Sequence, residues 1–161
     1  MRTSRFVTVC AAAGLVFALI AAPRAAAQYK RSFNLSPGAQ ALPFSDGILA
    51  GNTLFIAGEQ GAGSNGKLVP GGIGPQTKAA LETIAKVVHE AGFEMGDVVA
   101  VNVYLSDIHD FAAMNKVYTT FFPNPKPTRT TVQVAALVNG AKIEISAIAV
   151  RRPRAASSRT R

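Results

Sequence analysis

The chain has one cysteine, no tryptophan and few charged residues, 16% of its 161 positions. The lone Cys10 lies inside an N-terminal apolar run, so the rest of the chain excludes disulfides, thiol catalysis and cysteine-ligated metals. Only two histidines occur, His89 and His109, 20 residues apart on predicted helix surfaces. They read as surface residues, not as metal ligands. The glycine-rich stretch 61–74 lacks the G-x-x-x-x-G-K-[ST] spacing that cradles phosphate. An excess of basic charge exists, +8 overall, but it sits at the two ends. Residues 1–27 carry 3 arginines and residues 151–161 carry 5, whereas residues 28–150 hold 9 basic and 9 acidic groups. A neutral body argues against a phosphate-binding surface. What the chain does have is apolar residues, 48%, enough to pack one domain and too many for wholesale disorder.

The N-terminus reads as an export signal. Met1–Arg5 is a short positive region, Phe6–Ala22 is uncharged and apolar, and Ala25-Ala26-Ala27 supplies the small residues a signal peptidase reads. Cleavage is expected after Ala27. An uncleaved anchor wants roughly 20 apolar residues, and this run stops after 17 at Pro23-Arg24. The expected organisation is a signal peptide over 1–27, a domain over 28–152 and a disordered basic tail over 153–161, in a periplasmic or secreted protein free of the membrane once cleaved.

The body reads as α+β. Lys30–Leu35 suits a short strand, and Gly47–Gly58 suits a hairpin about Gly51-Asn52. After Pro75, Ala80, Leu81, Ile84, Ala85, Val88 and Ala91 recur at helical steps, with Gly92 placed to end the helix. Val98–Leu105 is a β-branched strand. Asp107 can cap a second helix, Ile108–Phe122, which Pro123, Pro125 and Pro127 close. Thr128–Leu137 and Ala141–Val150 read as a closing hairpin about Asn139-Gly140. Two helices cover one face of such a sheet, yet the last strand is apolar or small on both faces. A second copy of the chain is the expected cover for the other face.

Four segments, in order, carry a resemblance: IAGEQ (Ile56–Gln60), VYLSDIHDFAAMN (Val103–Asn115), PTRTTVQV (Pro127–Val134) and KIEISAIAVRR (Lys142–Arg152). They resemble the reactive intermediate deaminase family, called RidA or YjgF and in older usage L-PSP endoribonuclease. The resemblance runs from about Pro43 to Arg152. It implies a chorismate-mutase-like mixed sheet with two helices on one face, and a homotrimer with ligand clefts between subunits. It also implies a 2-iminobutanoate/2-iminopropanoate deaminase-like hydrolase that turns 2-aminoacrylate-like compounds into 2-keto acids and ammonia, with no metal or organic cofactor.

Position by position, the resemblance puts Arg129 on the arginine that holds a substrate carboxylate, a task suited to a planar guanidinium with parallel donors. It puts Glu144 on the glutamate that orients or activates water, and Asn115, Gly58 and Thr131 on cleft positions. Gly58 is expected to let a backbone N–H approach the ligand. Three residues depart from the family pattern. Phe44 stands for the usual tyrosine, Ala57 for a serine and Thr131 for a cysteine, so two hydroxyls are lost from the cleft, a change that can cost ~10² in discrimination.

The predicted closing hairpin creates a difficulty. It sets Glu144 opposite Ala135, six residues along the strand from Arg129, roughly 20 Å away at the ordinary rise per residue. Either the two strands do not form this hairpin, or Arg129 and Glu144 meet across a subunit boundary. Three functions follow from the sequence: imine hydrolysis, non-enzymatic binding of small carboxylates or keto acids, and the ribonuclease of the old family name. The neutral body and the two isolated histidines weigh against the last.

Overall fold

In the computed structural model, residues 30–35 and 42–151 are described. The proposed signal over 1–27 and the tail over 153–161 lie outside them. Lys30–Phe33 (β1), Gly47–Ala50 (β2) and Thr53–Gln60 (β3) form an antiparallel meander. The turn between β2 and β3 falls at Gly51-Asn52, and Gly51 takes a φ of 63°, which a residue with a side chain adopts only at a cost. A helix over Ile73–Glu90 (α1) follows. It begins two residues before Pro75, because a proline in the first turn removes an N–H that has no partner there anyway. Gly92, at φ 75°, lies just past its end as expected.

Val98–Leu105 (β4) leads through a short 3₁₀ turn to a helix over Phe111–Tyr118 (α2). The Asp107 carboxylate accepts from the His109 N–H and so caps that 3₁₀ turn. Two more strands close the fold, Thr128–Gln133 (β5) and Ile143–Val150 (β6). The six strands make one mixed sheet in the order β1-β2-β3-β6-β4-β5.

That order corrects one expectation. β5 and β6 do not pair: β5 runs parallel to β4, and β6 lies antiparallel between β3 and β4. Asn139 and Gly140 do adopt the positive φ the turn signal implies, 59° and 70°, but within a 3₁₀ turn of a longer crossing segment. The physical reason is coverage. β6, IEISAIAV, is apolar enough to stand at the centre of the sheet with a neighbour on each side. β5, TRTTVQ, has polar residues at five of six positions and is suited to an edge.

One face of the sheet is the core. Leu54, Ile56, Val101, Val103, Leu105, Ile143, Ile145, Ala147 and Ala149 are buried there, under Leu81, Ile84, Val87 and Val88 of α1 and Met114 of α2. Truncating any one of the fully buried aliphatics to alanine would cost about 2–5 kcal/mol. Among the described residues, no helix covers the other face. Phe55 is 47% and Val132 41% exposed, with Ile48, Ile148 and Tyr104 half-buried between them.

Candidate functional site

The sheet register decides which predicted residues share a side. Arg129 stands beside Val101 and so belongs to the helix-covered side. Its guanidinium carbon lies 4.5 Å from the Tyr118 ring centroid and 5.5 Å from that of Phe111, both on α2. Each such contact is worth about 0.5–2 kcal/mol, the more so where water is excluded. The Arg129 Nη1 donates to Asn115 Oδ1 at 2.7 Å. Asn115, which the helical pattern points away from the main apolar stripe, is therefore the residue that aims the guanidinium. With one nitrogen occupied and the plane fixed against aromatic rings, the remaining N–H groups have no partner among the described residues and suit an anion.

Thr131 follows two residues later on the same side of β5, and its Oγ1 is buried with no hydrogen-bond partner. The Tyr118 hydroxyl is also buried and unpartnered. Burial raises its pKa, and the nearby Arg129 charge partly offsets this. A groove of about 400 Å³ runs along α2 past Phe111, Asn115 and Lys116.

Glu144 stands between Gln60 of β3 and Tyr104 of β4, on the face without helices. Gln60 Nε2 donates to Glu144 Oε2 at 3.2 Å. The other oxygen, Oε1, lies over Gly58, where a Cβ would come within 2.4 Å of it. The carboxylate thus occupies the space a side chain at 58 would need, which is why this position takes glycine. A β-bulge between Ile56 and Glu59 turns the strand at this point. Ala57 donates its N–H to the Asp46 carbonyl at 2.9 Å, pinning the 42–46 segment to β3. That segment carries Phe44, which is 56% exposed.

Glu59 adds a third carboxyl to this region. Burial, then the charge of Asp46, then that of Glu144 push its pKa up to about 7.

The predicted residues therefore fall into two groups. Arg129, Asn115 and Thr131 form one around α2 and β5; Glu144 and Gly58 form the other around β3 and β6, with Ala57 next to Gly58 and Phe44 on the segment tied to Ala57 through Asp46. Between Arg129 and Glu144 lie three residues along β4 and two strand spacings, roughly 14 Å between backbones. Their side chains also leave the sheet on opposite sides. The 20 Å of the predicted hairpin is shortened, but one chain still does not bring the two heads together.

The family model for endoribonuclease L-PSP matches residues 33–151. The chain belongs to this family, also called RidA or YjgF. A rat protein named 2-iminobutanoate/2-iminopropanoate deaminase is 40% identical over 111 residues, 68% of this chain and 81% of the relative. A RutC family protein of Pyrococcus horikoshii is 45% identical over 108 residues, covering 66% of this chain and 86% of the relative. Among solved structures, that of Escherichia coli TdcF with bound serine matches with a TM-score of 0.66 at 33% identity, over 76% of this chain and 94% of that one. RidA from an Antarctic Psychrobacter matches with the same TM-score and identity, over 74% and 94%.

These family relatives give the α+β fold and a deaminase-type hydrolase family. Three residues at the two groups were not legible beforehand as site residues. Gln60 and Glu59 fall just past the predicted Gly47–Gly58 hairpin, and Tyr118 lies within the predicted helix Ile108–Phe122 with no mark of a site. Only the register and the stacking reveal what they touch.

Proposed function

We propose that the protein hydrolyses small 2-imino acids and their enamine tautomers, 2-aminoacrylate among them, to 2-keto acids and ammonia, at clefts between the subunits of a homotrimer. One observation carries the reading: a guanidinium and a carboxylate are each held in place, on opposite sides of the sheet, in a chain 40% identical to a protein named for this reaction. Arg129 of one subunit receives the substrate carboxylate through paired N–H donors. Glu144 of a neighbour takes a proton from water as the water oxygen bonds to the imine carbon and the C=N electron pair moves to nitrogen. Glu144 hands that proton to nitrogen, giving the carbinolamine; the hydroxyl proton then passes through Glu144 to nitrogen as the C–N bond breaks, ammonia leaves and oxygen closes the keto group. The step as written calls for no metal and no organic cofactor. The uncovered sheet face, with Phe55 and Val132 exposed, supports association with further copies. In this reading the segment over 1–27 exports the protein to the periplasm or beyond.

Phe44 and Ala57 favour a second reading, because neither offers a hydroxyl to the cleft. On that reading the trimer binds small carboxylates or keto acids without turning them over, in line with a family neighbour solved with serine bound. RNA cleavage draws no support from a body whose charges balance over residues 28–150 or from two exposed histidines. The test generates 2-iminopropanoate in situ and follows its decay with purified protein. Acceleration at catalytic protein concentrations supports hydrolysis. Stoichiometric binding of pyruvate without acceleration replaces it with the second reading.

A further inference from the structure

Glu144 is the base of the proposed reaction, and its geometry is set from within its own chain. Gln60 lies directly across the β3–β6 ladder from it and donates to Oε2 at 3.2 Å. Among the described residues no other group donates to either carboxylate oxygen. Around it, Glu59 is close enough to interact with it, Asp46 interacts with Glu59, and among the described residues no ion pair supplies either carboxyl with a cation. An unheld carboxylate in that company would rotate away from its neighbours and toward water. The amide of Gln60 fastens one oxygen, and the bare Cα of Gly58 leaves room for the other.

We infer that Gln60 is a positioning residue, whose amide holds Glu144 Oε2 so that Oε1 stays free to accept the proton of the attacking water. The inference rests on the imine-hydrolysis reading and adds a residue to it. Oε2 is engaged along the N–H of Gln60, so the lone pairs of Oε1 define the direction from which water is activated. Gln60 does not touch substrate in this scheme. Its effect therefore belongs in kcat, whereas the grip on the substrate carboxylate belongs to Arg129.

The experiment compares wild type with Gln60→Met, which keeps the length and loses the donor, and Gln60→Asn, which keeps an amide. Trimer content and circular dichroism confirm that each variant folds. With 2-iminopropanoate, Gln60→Met should lower kcat about 10- to 100-fold, the worth of one hydrogen bond to a charged group, with KM within twofold of wild type. Gln60→Asn should recover part of the loss, which a purely structural role would not require. A Gln60→Met kcat within twofold of wild type, where wild type is active, overturns the inference and leaves the hydrolysis reading standing.

A second readout needs no activity: the side-chain amide ¹H–¹⁵N signals of Gln60, compared with those of Glu144→Gln. Displacement of these signals in Glu144→Gln supports the hold. Unmoved signals overturn it. Absence of acceleration by wild type removes the hydrolysis reading, and the amide signals then decide whether Gln60 positions this carboxylate.

Discussion

The two halves of the candidate site are built by different means. The arginine half lies against α2: Arg129 rests over the rings of Tyr118 and Phe111, and Asn115 fixes its angle. The carboxylate half lies on the face without helices, where Gln60 and the missing side chain of Gly58 hold Glu144. A cation gains from aromatic faces that would repel a carboxylate, and a carboxylate needs N–H donors. Each charge has been given the surroundings that suit it, and in one chain those surroundings point to opposite sides of β4. What the comparison teaches is that one chain keeps the two charges apart, so the proposed reaction requires a neighbour's half to face this one.

Substitutions should separate the halves. Glu144→Gln removes the base and keeps the shape, so kcat for 2-iminopropanoate should fall by about 10²–10⁴ with little change in KM. Arg129→Ala removes the anion grip and should act chiefly on KM, lowering kcat/KM by about 10²–10³, the worth of a desolvated charge-assisted pair. Steady-state kinetics on both variants checks the split. Losses confined to kcat in both would mean that Arg129 does not bind the substrate.

A smaller effect sharpens the contrast through pH. The Glu59 pKa is raised to about 7 on folding, so the folded chain binds a proton there more tightly than the unfolded chain does. Its contribution to stability is therefore complete below the ordinary carboxylate range and is lost as pH rises toward about 7, then levels off. Glu59→Gln should flatten that decline: its melting temperature should match wild type near pH 4.5 and exceed it at pH 8. Parallel curves for the two proteins would show that the carboxylate half carries no such strain.

Much of the fold was legible, because its signals are local. The Gly51-Asn52 hairpin, the α1 stripe ending at Gly92 and the β-branched run of β4 each stand in the sequence where the structure has them. The closing hairpin was not. Asn139-Gly140 specifies backbone angles, and those angles are present, but a turn does not choose the strand partner. That choice depends on which strand can be covered along both edges, and the apolar character of β6 on both faces already pointed to the centre of the sheet. In the site, Arg129 and Glu144 are singled out as candidates through the family resemblance, and the structure adds what each one touches. Gln60 was missed because its partner lies 84 residues away and is found only through the register. At Gly58 the expectation is a backbone N–H open to a ligand, and the structure adds that Glu144 fills the space of its absent side chain.

The most direct test of the shared site mixes two inactive variants. Arg129→Ala and Glu144→Gln chains, each nearly inactive alone, are unfolded together, refolded as mixed trimers and assayed with 2-iminopropanoate. In a cleft that takes its arginine from one subunit and its glutamate from the next, about one quarter of the sites in a random equal mixture regain both residues. Recovery to about a quarter of wild-type activity is the predicted result. A mixture no more active than its two components, in trimers shown to contain both chains, would contradict the account.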